Sequence, residues 1–257
     1  MTAMTQSAML EPFLIISSTA TDVGKVRAVN EDSVLNRADA GLWVVADGMG
    51  GHQRGDFAST LITHTLQNMP APCGGAALMA QVRSALTTVN RQLLDQRHSD
   101  HDIIASTVVC LLIAEGNFAC VWAGDSRLYL CRHGRLSRIS SDHSIVQELL
   151  DAGAITQEQA VRHPRGTEVT RAVGAAETLR LDIRQGRINP QDYFLLCSDG
   201  LTRVMDDNEI ASRLIGDPAT IARDMIAAAL ERGAPDNVTV AIICCMSSPP
   251  DDVDPEE

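Results

Sequence analysis

The sequence predicts one α+β domain in which helices pack in layers against sheets. Short apolar runs and amphipathic stretches follow one another in blocks, an order that disfavours a doubly wound parallel sheet. Several apolar runs carry Val, Ile and Leu on both faces, as buried strands do. A chain of 257 residues that is 45% hydrophobic can bury a sizeable core. We therefore expect a single domain over residues 1–246, without repeats or an internal linker.

The individual elements follow from local patterns. Apolar runs predict strands at 11–20, 41–48, 105–114, 117–126, 127–134, 192–200 and 237–245. Small and apolar residues that recur every three to four positions predict helices at 55–69, 75–97, 144–152, 156–162, 207–215 and 217–231. His133 and Gly134 mark the turn of a hairpin.

Two segments fall outside this pattern. Residues 141–171 are more polar and lie between strands, and Pro164 and Gly166 interrupt regular structure there, which predicts a helical lid or flap over the surface. Residues 247–257 combine prolines with five acidic residues and predict a disordered acidic tail.

Charge and composition exclude several classes of protein. The net charge is −12, and −7 without the five acidic residues of the tail, so no basic footprint for nucleic acid or an anionic membrane is present. No run approaches the roughly 20 apolar residues of a membrane span, so we expect a cytoplasmic protein with no membrane anchor. The seven cysteines form no CxxC pair, and their strand-like settings predict buried, reduced thiols.

Aspartates recur where apolar runs end. Asp47, Asp125 and Asp199 each close such a run, and Asp236 immediately precedes another. Glu31 and Asp32 precede a further short apolar segment. For a single Asp-Gly pair, a turn is the favoured interpretation. Several aspartates at equivalent strand ends instead predict a carboxylate cluster.

Such a cluster needs a positive partner, because clustered carboxylates repel one another and are costly to desolvate. Oxygen ligands without nearby thiolate or imidazole favour Mg²⁺ or Mn²⁺ over Zn²⁺. Two such ions could polarise a phosphoryl oxygen and activate a water molecule. From the residues alone, the prediction is a two-metal hydrolase whose substrate is open.

Five ordered motifs then point to a family. TDVGKVRAVNED, VVADGMGGHQRGDFAS, WAGDSRLYL, LLCSDGLT and APDNVTV resemble the successive signatures of the metal-dependent type 2C Ser/Thr protein phosphatases (PPM), and most closely their bacterial branch. The resemblance spans about residues 17–245. It implies a four-layer αββα sandwich, with two mostly antiparallel central sheets flanked by helices.

The resemblance also implies a set of metal ligands. Asp47 would bridge two Mn²⁺ or Mg²⁺ ions, with the Gly48 carbonyl as a further ligand, and Asp199 and Asp236 would complete the first shell. Glu31 and Asp32 would act nearby, partly through water. Asp125 would help Asp199 to hold a possible third ion.

Four further positions follow from the same comparison. Arg27 would bind the substrate phosphate, which suits a guanidinium fork, and would be catalytic together with Asp47, Asp199 and Asp236. Asn237 would support the site. Gly50 and Gly51 would let the chain bend close to the bridging carboxylate, because glycine tolerates positive φ and close approach.

One departure concerns the proton donor. Met49 stands where animal members carry a histidine proposed as general acid, and a thioether cannot donate a proton. His52 is a possible supporting residue, with a solvent-facing loop position as the equal alternative. For His143 and His163, in the lid segment, surface exposure is the favoured interpretation.

The predicted activity is hydrolysis of phosphoserine and phosphothreonine by a metal-activated water, without a covalent phosphoenzyme. The expected partners are phosphoproteins, including a bacterial Ser/Thr kinase or its targets, and the expected state is a monomer. Two alternatives are a silent relative that only binds phosphoproteins and a hydrolase of small phosphorylated metabolites.

Overall fold

Two antiparallel six-stranded sheets form the centre of the molecule. The computed structural model describes residues 3–10, 12–50, 54–99, 103–166 and 168–247. The first sheet contains, in spatial order, β1 (Met4–Leu10), β2 (Phe13–Asp22), β12 (Val238–Ser247), β11 (Asp192–Cys197), β8 (Arg127–Arg132) and β9 (Arg135–Arg138). The second contains β10 (Asp182–Arg187), β7 (Asn117–Ala123), β6 (Val108–Ala114), β4 (Leu42–Gly50) and β3 (Asp32–Arg37), with β5 (Ile104–Ser106) paired to β4.

Helices cover the outer face of each sheet. The second sheet is covered by α1 (Gly55–Gln67) and α2 (Gly75–Asp95). Two short helices, α3 (Ile145–Asp151) and α4 (Gln157–Val161), lie in the segment predicted as a lid. The first sheet is covered by α5 (Asp199–Thr202), α6 (Asp207–Arg213) and α7 (Pro218–Glu231).

Three apolar cores separate the four layers. Ile62, Leu86 and their neighbours on α1 and α2 pack on β4 and β6, and a second set on α6 and α7 packs on β11 and β12. Between the sheets lie the aromatic side chains of Trp43, Trp122 and Phe194. Full burial of one such side chain contributes about 1.5–3 kcal/mol. The layers are helix, sheet, sheet and helix, which confirms the predicted α+β sandwich.

Local sequence signals explain where several helices begin. The Asp206 carboxylate accepts a hydrogen bond from the Glu209 amide at α6, and Asp217 caps α7 ahead of Pro218 in the same way. Thr156 and Gln159 form a reciprocal capping box at α4. These capping residues put the starts of three helices close to their predicted positions.

The predicted strand 105–114 is interrupted at Thr107. β5 ends at Ser106 and β6 begins at Val108, so Thr107 stands between them. Its hydroxyl accepts a hydrogen bond from the Asp47 amide at 3.1 Å, and its amide donates to the Asp47 carbonyl at 2.8 Å. The interruption therefore fixes the backbone of Asp47 on both sides.

The predicted hairpin and the predicted thiols can be located directly. His133 (φ 51°) and Gly134 (φ 73°) form the turn between β8 and β9, which confirms the hairpin. All seven cysteines are free; six are buried, as predicted, whereas Cys73 is exposed.

Within the described ranges, no helix is long and apolar enough to cross a membrane. Residues 248–257 of the predicted tail lie outside the described residues.

Candidate metal centre

Acidic residues from both sheets meet at one end of the sandwich. Asp47 lies in β4, Asp125 follows β7, Asp199 follows β11 and Asp236 precedes β12. All four, with Glu31, line a cavity of about 330 Å³. Antiparallel pairing brings these acidic residues together, because the start of one strand then lies beside the end of its neighbour.

Asp32 lies deeper than the cavity lining. It pairs with Asp47 across β3 and β4, and its Oδ2 accepts a hydrogen bond from the Ser198 hydroxyl at 2.7 Å. Its Oδ1 atom is buried and has no hydrogen-bond partner, and the same is true of Asp199 Oδ1. Buried carboxylate oxygens without a donor indicate that a positive group is needed nearby.

Withdrawal from water and mutual repulsion raise the pKa values of these carboxyl groups. Desolvation raises the pKa of Asp32 and of Asp125 to about 7, and the nearby Asp199 charge adds to both effects. Desolvation, followed by the charges of Asp32 and Asp199, holds the pKa of Asp47 well above its usual range. A divalent cation would reverse these shifts, because it favours the ionised carboxylates.

Glu31 is held between a strand and a helix. Its Oε1 accepts a hydrogen bond from the Gly55 amide at the start of α1, and its carbonyl accepts one from Gly48 at 3.0 Å. A Cβ at Gly48 would lie 2.0 Å from the Gly55 carbonyl oxygen, so only glycine fits this crossing. Burial raises the pKa of Glu31.

Asn237 ties the loop before β3 to the start of β12. Its Oδ1 accepts a hydrogen bond from the Glu31 amide at 2.8 Å, and its Nδ2 donates to the carbonyls of Val23 and Val29. The side chain thereby fixes a loop that carries both Arg27 and Glu31. Its contacts are those of a residue that positions other groups.

Two arginines are in contact with the carboxylates. Arg27 donates from Nε to Asp236 Oδ1 at 2.8 Å and from Nη2 to Asp236 Oδ2 at 3.0 Å, with 51% of its side chain exposed. Arg203 contacts Asp199 and also reaches Asp236 Oδ2 at 3.1 Å. Arg203 was not among the residues predicted from the sequence, although its place four residues after Asp199 on a helical turn was a usable signal.

The carboxylates share one cavity without converging on a single point. Across the described ranges, no three Asp, Glu, His or Cys side chains converge tightly enough to hold one ion. The positive groups in contact with Asp199 and Asp236 are the two arginines. The donor set nevertheless fits a hard divalent cation, because the cavity wall is rich in carboxylates and the cluster includes two with unpartnered buried oxygens.

A larger groove of about 710 Å³ lies elsewhere, between α2 and the strands β6, β7 and β10. Met79, Leu112 and Phe118 give it an apolar wall, and Glu115 is the sole carboxylate among the described residues that line it. It does not offer the chemistry of the smaller cavity.

The segment 141–171 borders the carboxylate cavity. A bridge between Ser144 and Val169 closes its base, and Val169 lines the cavity itself. A second cavity of about 380 Å³ lies between this segment and the acidic cluster, and we call it the lid cavity. Its lining includes Asp125, Asp142, His163, Asp199 and Arg203.

The expected surface position of His143 is wrong. The residue is only 6% exposed, stacks on Trp122 and accepts a hydrogen bond at Nδ1 from the Gly124 amide. Its Nε2 lies 3.1 Å from Asp182 Oδ2, a contact between residues far apart in the sequence. His163 is half-buried, and His52 and Gly51 lie outside the described residues.

Gly50 and Met49 occupy the cavity wall. Gly50 does not adopt a positive φ, one of the two reasons for which glycine was predicted to suit this position. A Cβ there would lie 2.9 Å from the Ile103 carbonyl, so close approach is the reason that glycine fits. Met49 continues β4 and carries no proton to donate.

The metal-free protein is expected to become more stable as the pH falls from 8 to 6. The folded chain binds protons on Asp32 and Asp125 near pH 7, whereas the unfolded chain does so near pH 4, so stability is lost as pH rises through the folded pKa. His143 opposes this trend, since burial lowers its pKa, but it is one group against several. Urea denaturation at pH 6 and pH 8 in EDTA would measure the change.

Saturating Mn²⁺ is the control for that measurement, because a bound cation holds the carboxylates ionised and should suppress the pH dependence. A metal-free stability that is unchanged, or that falls on acidification to pH 6, would contradict the raised pKa values.

Comparison with known families places the chain. Residues 26–238 match the protein phosphatase 2C family. The chain belongs to that family. The match covers the loop that carries Arg27, every carboxylate of the cavity and the start of β12.

Named relatives and solved structures agree with this assignment. The serine/threonine protein phosphatase PstP of Mycobacterium tuberculosis is 39% identical over 226 residues, which cover 86% of this chain and 43% of PstP. The chain thus spans less than half the length of that relative. The structure of PppA, described as a key regulatory component of T6SS in Pseudomonas aeruginosa, matches with a TM-score of 0.84 and 42% identity over 94% of this chain and all of that one.

A further solved structure bears on cofactors. The catalytic domain of PstP has been solved in complex with two manganese ions, and it matches with a TM-score of 0.79 and 34% identity over 91% of this chain and all of that domain. The likeness therefore covers nine-tenths of this chain.

Proposed function

We propose that this protein is a metal-dependent protein phosphatase that hydrolyses phosphoserine and phosphothreonine. The observation that carries the proposal is the cavity in which four aspartates and Glu31 face an exposed arginine, Arg27, in a chain of the protein phosphatase 2C family. The carboxylates suit divalent cations, and the guanidinium suits a phosphate.

The proposed cofactors are two Mn²⁺ or Mg²⁺ ions, with a possible third. Asp47 would hold both ions, with the Gly48 carbonyl as a further ligand, and Asp199 and Asp236 would complete the shell. When bound, the ions would offset charge on the phosphoryl oxygens and lower the pKa of a coordinated water. Glu31 and Asp32 would act on the ions partly through water molecules.

Asp125 would share a third site with Asp199. Both line the lid cavity as well as the main cavity, so a site between them would face the lid segment.

Arg27 is proposed to bind the substrate phosphate. Its bidentate contact with Asp236 holds the guanidinium at the cavity mouth, and half of the side chain faces solvent. A guanidinium has five N–H donors, so donors remain for a phosphate after the contact with Asp236. Positioning of the phosphate and charge stabilisation are the main demands of phosphoryl transfer.

Two side chains near the cavity are poor candidates for the general acid. Met49 has no proton to donate, and both ring nitrogens of His143 are engaged, by the Gly124 amide and by Asp182. The histidine therefore holds the backbone beside Asp125 in place, and we assign it no proton transfer to the leaving group.

We place the proposed activity in one phosphatase domain, residues 1–246, that acts as a monomer in the cytoplasm. The seven free cysteines support a reducing compartment. Phosphoproteins, including a Ser/Thr kinase or its targets, are the proposed partners, and the segment 141–171 is proposed to tune the choice among them because it borders the cavity.

Hydrolysis of a phosphothreonine peptide tests the proposal. We expect turnover with Mn²⁺ or Mg²⁺ and a loss of at least about 100-fold in EDTA or in Asp236→Asn, because the carboxylates would then lack their cation or a ligand. Asp224→Asn, an exposed acid on α7, is the matched control and should keep full activity.

Three outcomes would contradict the proposal or redirect it. Full activity in EDTA or in Asp236→Asn would exclude metal dependence. Faster turnover of a sugar phosphate than of the phosphopeptide would favour a metabolite phosphatase. Tight phosphopeptide binding without turnover would favour a silent binding module.

A further inference from the structure

Arg203 contacts two carboxylates of the cavity at the same time. It follows α5 directly, and its guanidinium turns back over that helix to contact Asp199 Oδ2 with Nη2. Its Nη1 donates to Asp236 Oδ2 at 3.1 Å. One side chain thus spans two carboxylates that come from the ends of neighbouring strands, β11 and β12.

The contacts of Arg203 occupy two of the four oxygens of these carboxylates that a metal ion could use. With Asp199 Oδ2 taken by Arg203, the other oxygen, Oδ1, is buried and has no partner. On Asp236, Oδ1 accepts from Arg27 and from the Asn237 amide, while Oδ2 accepts from both arginines. A cation ligated by Asp236, or by Asp199 through Oδ2, therefore has to displace donors that are already in place.

The arginine has room to leave. Its side chain is 33% exposed and lines both the main cavity and the lid cavity. Its ion pair with Asp199 spans a single helical turn and is partly open to water on the arginine side, since Arg203 is 33% exposed and Asp199 16%. A divalent cation can displace such a partner, but at a cost to its affinity.

We propose that Arg203 is a built-in competitor for the metal centre, which weakens divalent-ion binding at Asp199 and Asp236 and makes loading depend on ion concentration. The inference rests on the proposed function, since it concerns the same carboxylates. In the metal-free chain the guanidinium neutralises the pair, and in the loaded chain it moves towards the lid cavity.

Calorimetric titration of Mn²⁺ without substrate tests the inference. Arg203→Met removes the charge and keeps an unbranched stem, so we expect Mn²⁺ to bind about 10-fold more tightly than to the unmodified protein. The metal-free melting temperature should fall and its rise with Mn²⁺ should be larger. Arg203→Lys, whose single ammonium does not fork across both carboxylates, should give a smaller gain in affinity.

Arg213→Met is the matched control. Arg213 is 35% exposed, and it also pairs with an acid one helical turn away, Glu209, on the outer helix α6. Its replacement should leave Mn²⁺ affinity unchanged.

The outcomes separate the inference from the proposed function. Equal or weaker Mn²⁺ binding by both Arg203 variants, beside normal binding by the unmodified chain, would overturn the inference alone. An equal gain in affinity in Arg213→Met would overturn it too, because the effect would then be one of net charge. Absence of Mn²⁺ binding by the unmodified chain would overturn both.

Discussion

Asp47→Asn is expected to abolish phosphatase turnover and, at the same time, to raise the melting temperature of the metal-free protein. Desolvation and the charges of its neighbours Asp32 and Asp199 hold the pKa of Asp47 well above its usual range. Its backbone is fixed by Thr107, and these contacts do not involve the carboxylate, so the amide should occupy the same place. The substitution removes an unfavourable charge without removing the packing.

The two effects differ in size. Loss of the proposed metal ligand should lower kcat by about 100- to 1,000-fold, the scale seen when charge stabilisation is removed from an active site. The gain in metal-free stability should be about 1–2 kcal/mol, because the cavity lets water screen part of the repulsion. For a domain of this size that corresponds to roughly 2–8 °C in melting temperature.

Mn²⁺ should reverse the order of stability. At a concentration 100 times the dissociation constant, a ligand stabilises the folded state by about 2.7 kcal/mol. The unmodified protein should gain this stabilisation and Asp47→Asn should not, so their melting curves should cross between EDTA and Mn²⁺. Asp39→Asn, an exposed acid in the turn Ala38–Ala40, is the control and should change neither curve.

A single result would contradict this expectation. If Asp47→Asn lowered the metal-free melting temperature as well as turnover, the carboxylate would stabilise the fold. Its high pKa would then not reflect unfavourable burial.

The layers of the fold were predictable because they depend on local patterns. Strands that are buried on both faces, such as β6 and β12, show as continuous apolar runs. Three strands were missed: β1, β3 and β10. β1 and β10 are mostly exposed and lie at sheet edges, so their strand character comes from pairing with a neighbour and not from a buried apolar pattern.

The placement of the carboxylates could be predicted in part, and the groups around them could not. Strand-end aspartates are visible in the sequence, and the structure brings them to one end of the sandwich. The contact of Arg203 with Asp236 and the contact of His143 with Asp182 join residues 33 and 39 positions apart. Such contacts depend on how the sheets and the lid pack, which no local pattern records.

The Asp-Gly pairs show how a local rule can mislead. In isolation each predicts a turn with a left-handed glycine. Here neither Gly48 nor Gly200 adopts positive φ; Gly48 continues β4 and Gly200 lies in α5. Both glycines are required because another segment of backbone crosses them closely, and the crossing is what brings the aspartates near each other.

Gly200→Ala is therefore expected to damage stability and metal binding together. A Cβ at Gly200 would lie 1.9 Å from the Asn237 carbonyl oxygen and 2.9 Å from its carbonyl carbon, so backbone, and not a flexible side chain, must move. We expect a loss of about 3 kcal/mol or more in unfolding free energy, the scale of overpacking in a rigid site. Urea denaturation measures it.

The same displacement separates Asp199 from Asp236, because Gly200 follows the first and Asn237 follows the second. Mn²⁺ affinity should fall by at least about 10-fold even under conditions where the variant is fully folded, since ligand geometry tolerates only small shifts. Gly75→Ala, at the start of α2, is the control: its glycine is not at positive φ, and the nearest atom to an added Cβ is the Ala114 side chain at 3.2 Å. Normal stability and normal Mn²⁺ affinity in Gly200→Ala would mean that the close crossing of α5 and β12 does not set the distance between the two carboxylates, and that the aspartates meet for another reason.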